Sequence, residues 1–156
     1  MKVAVDIVIF TIQDGALKVL LVKRRIPPFK EELAIPGGFV QPNEDLDAAA
    51  LRELREETGV RSAEILDKTK TWIYYDLPPE AVGKALKGKF RGQRQLWFAM
   101  RFTGREDEIN LHQHGHKPEF DAWRWASGTE VLDLIVGFKR PAYEAVMAEF
   151  KQLVKF

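Results

Sequence analysis

Residues 52–60 read RELREETGV. Glu53, Glu56 and Glu57 stand at i, i+3 and i+4, so a helix carries all three on one face. Carboxylates that close raise one another's pKa and destabilise the helix unless something neutralises them. Hard divalent cations, which take oxygen ligands, do so. Arg52 can pair with one of the carboxylates and hold its orientation. Leu51 and Leu54 fall off the acidic face and are assigned to the core. Gly59 stands at C′, where a helix ends in a backbone conformation that other residues resist. The helix is therefore predicted over 45–58, DLDAAALRELREET.

Upstream, residues 3–12 (VAVDIVIFTI) alternate and are rich in β-branched side chains, which predicts a strand. QDG is a turn and residues 16–25 (ALKVLLVKRR) a second strand, giving a hairpin. Residues 26–44 are punctuated by Pro and Gly and read as a loop with a short extended piece. Downstream, residues 63–77 predict one or two strands, 78–90 a polar connection with a helical turn, 94–104 a strand, 105–120 a loop and 121–127 a strand. A last helix is predicted over 140–156, with Pro141 in its first turn and Tyr143, Val146, Met147, Phe150 and Val154 as its apolar stripe. A mixed sheet with helices on both faces is the simplest assembly, and 156 residues suit a single domain over the whole chain.

Composition narrows the chemistry. There are no cysteines, which excludes disulfides, thiolate metal sites and cysteine nucleophiles and suits a reducing cytoplasm. No apolar run is long enough to span a bilayer, so no membrane partner is expected. The net charge of +1 gives no footprint for DNA or other polynucleotide at large. The distribution says more than the total. Every charged side chain from 81 to 105 is positive (Lys84, Lys87, Lys89, Arg91, Arg94, Arg101 and Arg105), whereas residues 42–57 are mostly acidic. Such a pair of segments suits a site where metal cations and a polyanionic ligand meet, or else two solvated surfaces. His112, His114 and His116 alternate in a loop around Gly115, which gives them no rigid frame for a metal.

The acidic helix belongs to a longer pattern: Gly38, five residues, Glu44, seven residues, Arg52-Glu53-Leu54, one residue, Glu56-Glu57, one residue, Gly59-Val60. This is a complete Nudix box, and the chain resembles Nudix hydrolases, which cleave a nucleoside diphosphate linked to another group. The resemblance implies an α/β/α sandwich with a mixed sheet, and a loop–helix–loop that binds magnesium or manganese. Residues 1–45 resemble Nudix proteins of the ADP-ribose pyrophosphatase type. From about residue 60 the chain is similar to RNA pyrophosphohydrolases and dinucleoside polyphosphate hydrolases, through YYDLPPE, GKALKGKFRGQRQLWF, EIN, PEFDAWRW and FKRPAYEAVMAEF. The chain has Ile-Pro-Gly-Gly-Phe where an RNA pyrophosphohydrolase usually carries Pro-Gln-Gly-Gly.

The resemblance implies metal ligation by Glu53, Glu56, Glu57 and Glu119, with Glu119 reaching over from its loop as an extra ligand or base. Glu53, oriented by Arg52, or Glu119 is the general base, and Glu44 supports the loop. Gly37 and Gly38 let backbone pass close to the helix. Phe138 either staples the core or stacks on a purine, with Lys139 near the phosphates. Lys87 and its neighbours hold distal phosphates. Of Gln93, Arg94 and Gln95, which alternate along a strand, one or two face the ligand. Arg24 or Arg25 contacts base or phosphate. Trp97 and Trp125 are assigned to the core. The expected partner is a nucleotide, most simply a dinucleoside polyphosphate or the 5′-triphosphate end of RNA. ADP-ribose or a nucleotide sugar is the alternative, and a non-catalytic nucleotide sensor is a third.

Overall fold

The first strand, β1 (Lys2–Gln13), shows why the sheet lies inside the molecule. Val5, Ile7 and Ile9 face one way and Val8 and Phe10 the other, and all five are buried. A strand apolar on both faces must be covered on both. The computed structural model describes residues 2–26, 30–76, 92–112, 119–135 and 139–150.

Along one edge β1 runs parallel to β7 (Gly92–Phe102), with Asp6 beside Trp97 and Phe10 beside Arg101. On its other edge it pairs antiparallel with β4 (Gly37–Phe39) near its start and with β2 (Ala16–Arg24) near its end. Asp14 and Gly15, both at positive φ, make the two-residue turn of the β1–β2 hairpin. β2 also pairs with β3 (Leu33–Ala34) and β8 (Phe120–Ala126), and β7 with β5 (Ala63–Lys68) and β6 (Ile73–Asp76), all antiparallel. The described residues thus form one mixed eight-stranded sheet.

Helix α1 (Leu46–Thr58) covers one face, packing Ala49, Ala50 and Leu54 onto Val5, Ile7, Ile9, Leu96, Phe98 and Met100. Helices α2 (Gly128–Leu134) and α3 (Arg140–Phe150) cover the other, packing Val131, Tyr143, Val146 and Phe150 onto Val8, Phe10, Leu21, Trp97 and Ala99. This is the α/β/α sandwich expected. No helix among the described residues is long and apolar enough to cross a membrane.

Two expectations change. Leu51 is exposed rather than in the core, because the buried stripe of α1 runs through Ala50 and Leu54, one turn apart, and leaves Leu51 to its side. Helix α2 went unpredicted. Its signal is the capping box Ser127-Gly-Thr-Glu130, in which Ser127 Oγ accepts from Glu130 N and Glu130 Oε1 accepts from Ser127 N. The predicted boundaries of α1 hold. Asp45 caps its start by accepting from Ala48 N at 3.1 Å, and Gly59, at φ 78°, ends it. The connection at 78–90, His114, His116 and Val154 lie outside the described residues.

Candidate active site

Gly37 and Gly38 are consecutive in β4, so a side chain on each would point to opposite faces of the sheet. A Cβ on Gly38 would fall on the Glu53 carboxylate of α1, 2.6 Å from Oε1. A Cβ on Gly37 would fall 2.6 Å from Val5 O and 2.7 Å from Asp6 Oδ1. Each glycine therefore makes room for one carboxylate, Glu53 on the α1 face and Asp6 on the α3 face. Asp6 stands directly opposite Gly37 in the β1–β4 register.

Arg52 organises the acidic helix more widely than the single pair expected. Its Nε and Nη2 donate to Glu44 Oε2 and Oε1 at 2.6 and 2.8 Å, a two-pronged grip from the loop before α1. Nη1 donates to Glu53 Oε1 at 2.8 Å and to Glu56 Oε2 at 3.1 Å, and Nη2 also reaches Phe39 O at 3.1 Å. One planar guanidinium thus ties three carboxylates and β4 together, which a point-charge ammonium would not do. Hydrogen bonds from Arg52 and from the Gln41 backbone hold the Glu44 carboxyl down at about 2, so it stays ionised as the anchor of Arg52.

Glu57 lies beyond the reach of that grip. Its Oε2 is buried and has no hydrogen-bond partner among the described residues. Burial first, then the charges of Glu119 and Glu53, push its pKa well above the usual glutamate value, while Arg24 pulls it down. Burial also raises Glu53, against the opposing pull of Arg52. Glu119, just before β8, is thus within electrostatic reach of both. Its backbone carbonyl accepts from Arg25 N at 2.7 Å, which ties its loop to the end of β2. A register shift between Lys23 and Arg24 in the β2–β8 pair marks that same end, and such bulges re-aim a side chain.

An orphaned buried carboxylate oxygen beside further carboxylates is the chemistry a hard divalent cation meets. Among the described residues no three acidic or imidazole side chains already form a closed ligand set. Glu53, Glu56, Glu57 and Glu119 therefore fit a cation by the chemistry of their oxygens and not as a finished cage.

The other expected residues divide. Lys139, just before α3, is half-buried; desolvation lowers its pKa and Asp6 raises it. Gln95 faces the α3 side, is buried, and accepts from Trp97 Nε1 at 2.8 Å, so it is committed to the interior. Arg94, on the opposite face, lies over the Trp72 ring at 4.3 Å. Trp97 is core, and Trp125 is half-buried and donates to Glu106. Phe138, Lys87 and the Gln93 side chain lie outside what the structure describes. His112 is exposed. The sequence reading passed over Asp6, whose signal is a lone acid in a run of Val and Ile. Burial pushes Asp6 up to about 7 against the opposing charge of Lys139.

Known proteins resemble the chain in sequence and in fold. An RNA pyrophosphohydrolase of Rhodopseudomonas palustris (strain HaA2) is 52% identical over 120 residues, covering 76% of this chain and 72% of that protein. One from Bradyrhizobium diazoefficiens is 51% identical over 123 residues, covering 78% and 74%. Among solved structures, a C. elegans Ap4A hydrolase binary complex superposes with a TM-score of 0.71 at 20% identity, covering 97% of this chain and 99% of that one. The NUDIX domain of Shewanella oneidensis NrtR, complexed with ADP ribose, gives 0.65 at 22% identity, covering 96% and 88%. At such identities the two structures attest the fold. Nudix hydrolases generally use divalent metal ions. Residues 1–146 match the NUDIX domain family, and the chain belongs to it.

Proposed function

We propose that the chain is a metal-dependent pyrophosphohydrolase that cleaves a phosphoanhydride in a dinucleoside polyphosphate or at the 5′-triphosphate end of RNA. The observation that carries this reading is the unpartnered, buried Oε2 of Glu57 beside Glu53 and Glu119. The RNA pyrophosphohydrolases that share about half of their aligned residues with this chain support the substrate class. Glu53, Glu56, Glu57 and Glu119 would hold magnesium, with manganese as the alternative. A bound divalent cation supplies charge stabilisation on phosphate oxygens and lowers the pKa of a water.

The chain's own side chains do the rest. Arg52, anchored by Glu44, fixes the carboxylates of Glu53 and Glu56 so that they need not reorganise during reaction. Glu53 or Glu119 accepts the proton of the attacking water. Arg24 and Lys139 bring positive charge to the phosphates from the end of β2 and the start of α3. Arg25, Lys87, Gln93 and Arg94 extend the contact to distal phosphates, and Phe138 stacks on the base. A chain without cysteine suits the cytoplasm, where such nucleotides occur.

The test is product analysis with diadenosine tetraphosphate, 5′-triphosphate RNA and ADP-ribose, at two ionic strengths and one magnesium concentration. A longer anionic chain engages more cations, so the first two substrates should show the higher kcat/KM, with an advantage that shrinks as salt rises. If ADP-ribose is preferred at both ionic strengths, the resemblance of residues 1–45 is the better guide to the substrate.

A further inference from the structure

Asp6 is the only acid in β1. Its place is fixed on both sides, by Gly37 across the antiparallel pair and by Trp97 across the parallel one. Tyr143 packs edge-on against Trp97 at 4.8 Å, and its hydroxyl accepts from Ile35 N at 3.4 Å. The wall around Asp6 is therefore aromatic and held from both β7 and α3. Oδ1 fills the space that a side chain on Gly37 would need. Oδ2 is out of solvent and has no hydrogen-bond partner among the described residues.

A buried acceptor left unmet is costly, and one kept in a native structure calls for an explanation. The neighbourhood supplies one. Glu53 of the acidic helix acts on Asp6 electrostatically, as does Lys139, and Arg24 acts on Lys139. Asp6 thus lies within electrostatic reach of the candidate active site. The cations there suit phosphates. The carboxylate, once ionised, does not, since a phosphate oxygen offers it no proton at neutral pH and repels it. What satisfies Asp6 is an uncharged donor carried by the same ligand, either an N–H of the base or an O–H of the ribose.

We propose that Asp6 is a specificity-determining residue of the nucleotide site: its carboxylate, seated against Gly37 and beside Trp97, accepts a hydrogen bond from a donor on the nucleoside part of the substrate. The proposal rests on the nucleotide-hydrolase reading above. It adds a contact on the α3 face of the sheet, behind the glycine doublet, to those on the α1 face.

The experiment is equilibrium binding by calorimetry to the full chain in magnesium, with methylene-bridged nucleoside 5′-diphosphates that cannot be cleaved at that bridge. Guanosine and adenosine carry base and sugar donors, and 2′-deoxyguanosine lacks one sugar donor. The riboside of unsubstituted purine lacks base donors, and its 2′,3′-dideoxy form lacks donors altogether. The native protein should bind at least one donor-bearing ligand about 10- to 100-fold more tightly than the donorless one, the range for a hydrogen bond to a charged group. Loss of the advantage with purine riboside marks a base donor, and loss with the deoxy ligands a sugar donor. Asp6→Ala should bring all ligands within about threefold of one another. Asp6→Asn, which keeps the outline of the side chain, should give an intermediate ratio even if the alanine variant folds poorly. The proposal is overturned if the native protein does not discriminate, if the Asn variant keeps the full discrimination, or if it weakens every ligand equally, as a mere counterion of Lys139 would. Absence of all nucleotide binding would overturn the hydrolase reading with it. Failure to hydrolyse RNA ends or dinucleoside polyphosphates would leave the binding ratios readable.

Discussion

Gly38→Ala is the smallest change that tests whether the sheet edge sets the position of Glu53. The added Cβ would lie 2.6 Å from Glu53 Oε1, where ordinary contact begins at 3.4 Å. Oε2 and Cδ would lie closer still, so the carboxylate must retreat by about 1 Å or β4 must yield. Retreat strains the 2.8 Å hydrogen bond from Arg52 Nη1, and through Arg52 the links to Glu44, Glu56 and Phe39 O. Overpacking of this kind costs about 1–3 kcal/mol of stability. A displacement near 1 Å in a reacting group costs about a hundredfold in rate. The variant should thus remain folded at room temperature, melt several degrees lower, and lose about two orders of magnitude in kcat. Thermal unfolding by circular dichroism and initial rates on diadenosine tetraphosphate in magnesium read both effects. The double variant Gly38→Ala with Glu53→Asp, shortened by one methylene, should regain melting temperature but not rate. If Gly38→Ala alone keeps kcat within threefold of the native enzyme, the seat does not position Glu53 and the reasoning fails.

Replacing Arg52 by Ala removes the partner of three carboxylates and should cost about 3 kcal/mol in urea denaturation, with Arg52→Lys intermediate because an ammonium cannot fork. Glu57→Gln should lower kcat about a thousandfold while raising the melting temperature of the metal-free protein, since it removes a buried acid beside Glu53 and Glu119. In chelator, the raised folded-state pKa of Glu57 means that the native form holds its proton more tightly than the unfolded chain does. Its stability contribution should be fullest below the ordinary value of 4.5 and be lost as pH climbs to the raised one. Melting temperature against pH should show that decline, and Glu57→Gln should flatten it. Comparison of pH–rate profiles for Glu53→Gln and Glu119→Gln assigns the general base, since only its loss abolishes the acidic limb.

Much of this site was legible because its chemistry is local in sequence. The three glutamates, Arg52 and the stop at Gly59 lie within one helix, and helical periodicity alone groups them. The reach of Arg52 to Glu44 was less visible, because it depends on how the loop of residues 40–45 folds back over the first turns of α1. Leu51 was misplaced because two leucines three apart both lean inward on paper, whereas Ala49 and Ala50 let the helix roll toward the small side chains. Helix α2 is seven residues long and carries few apolar side chains, so its capping box was the stronger signal. Gln95 looked like a ligand contact from its strand, but Trp97, two residues on and on the same face, takes its side-chain oxygen. Asp6 escaped notice since its meaning comes from Gly37 and Lys139, far away in sequence, and a lone acid in an apolar strand has no local partner to reveal it.

The parallel pairing of β1 with β7 also bears on how the chain acquires its structure. β1 leaves the ribosome well before its long neighbour, which begins only at Gly92. Until then the hairpin of β1 and β2 has one apolar edge open, and an open edge of that kind is a template for pairing with another chain. Contacts between segments so distant along the chain also slow folding, because the intervening loop must close before they form. The nascent protein should therefore be most vulnerable to aggregation while residues 13–92 are being synthesised, and chaperone demand should fall once β7 has emerged.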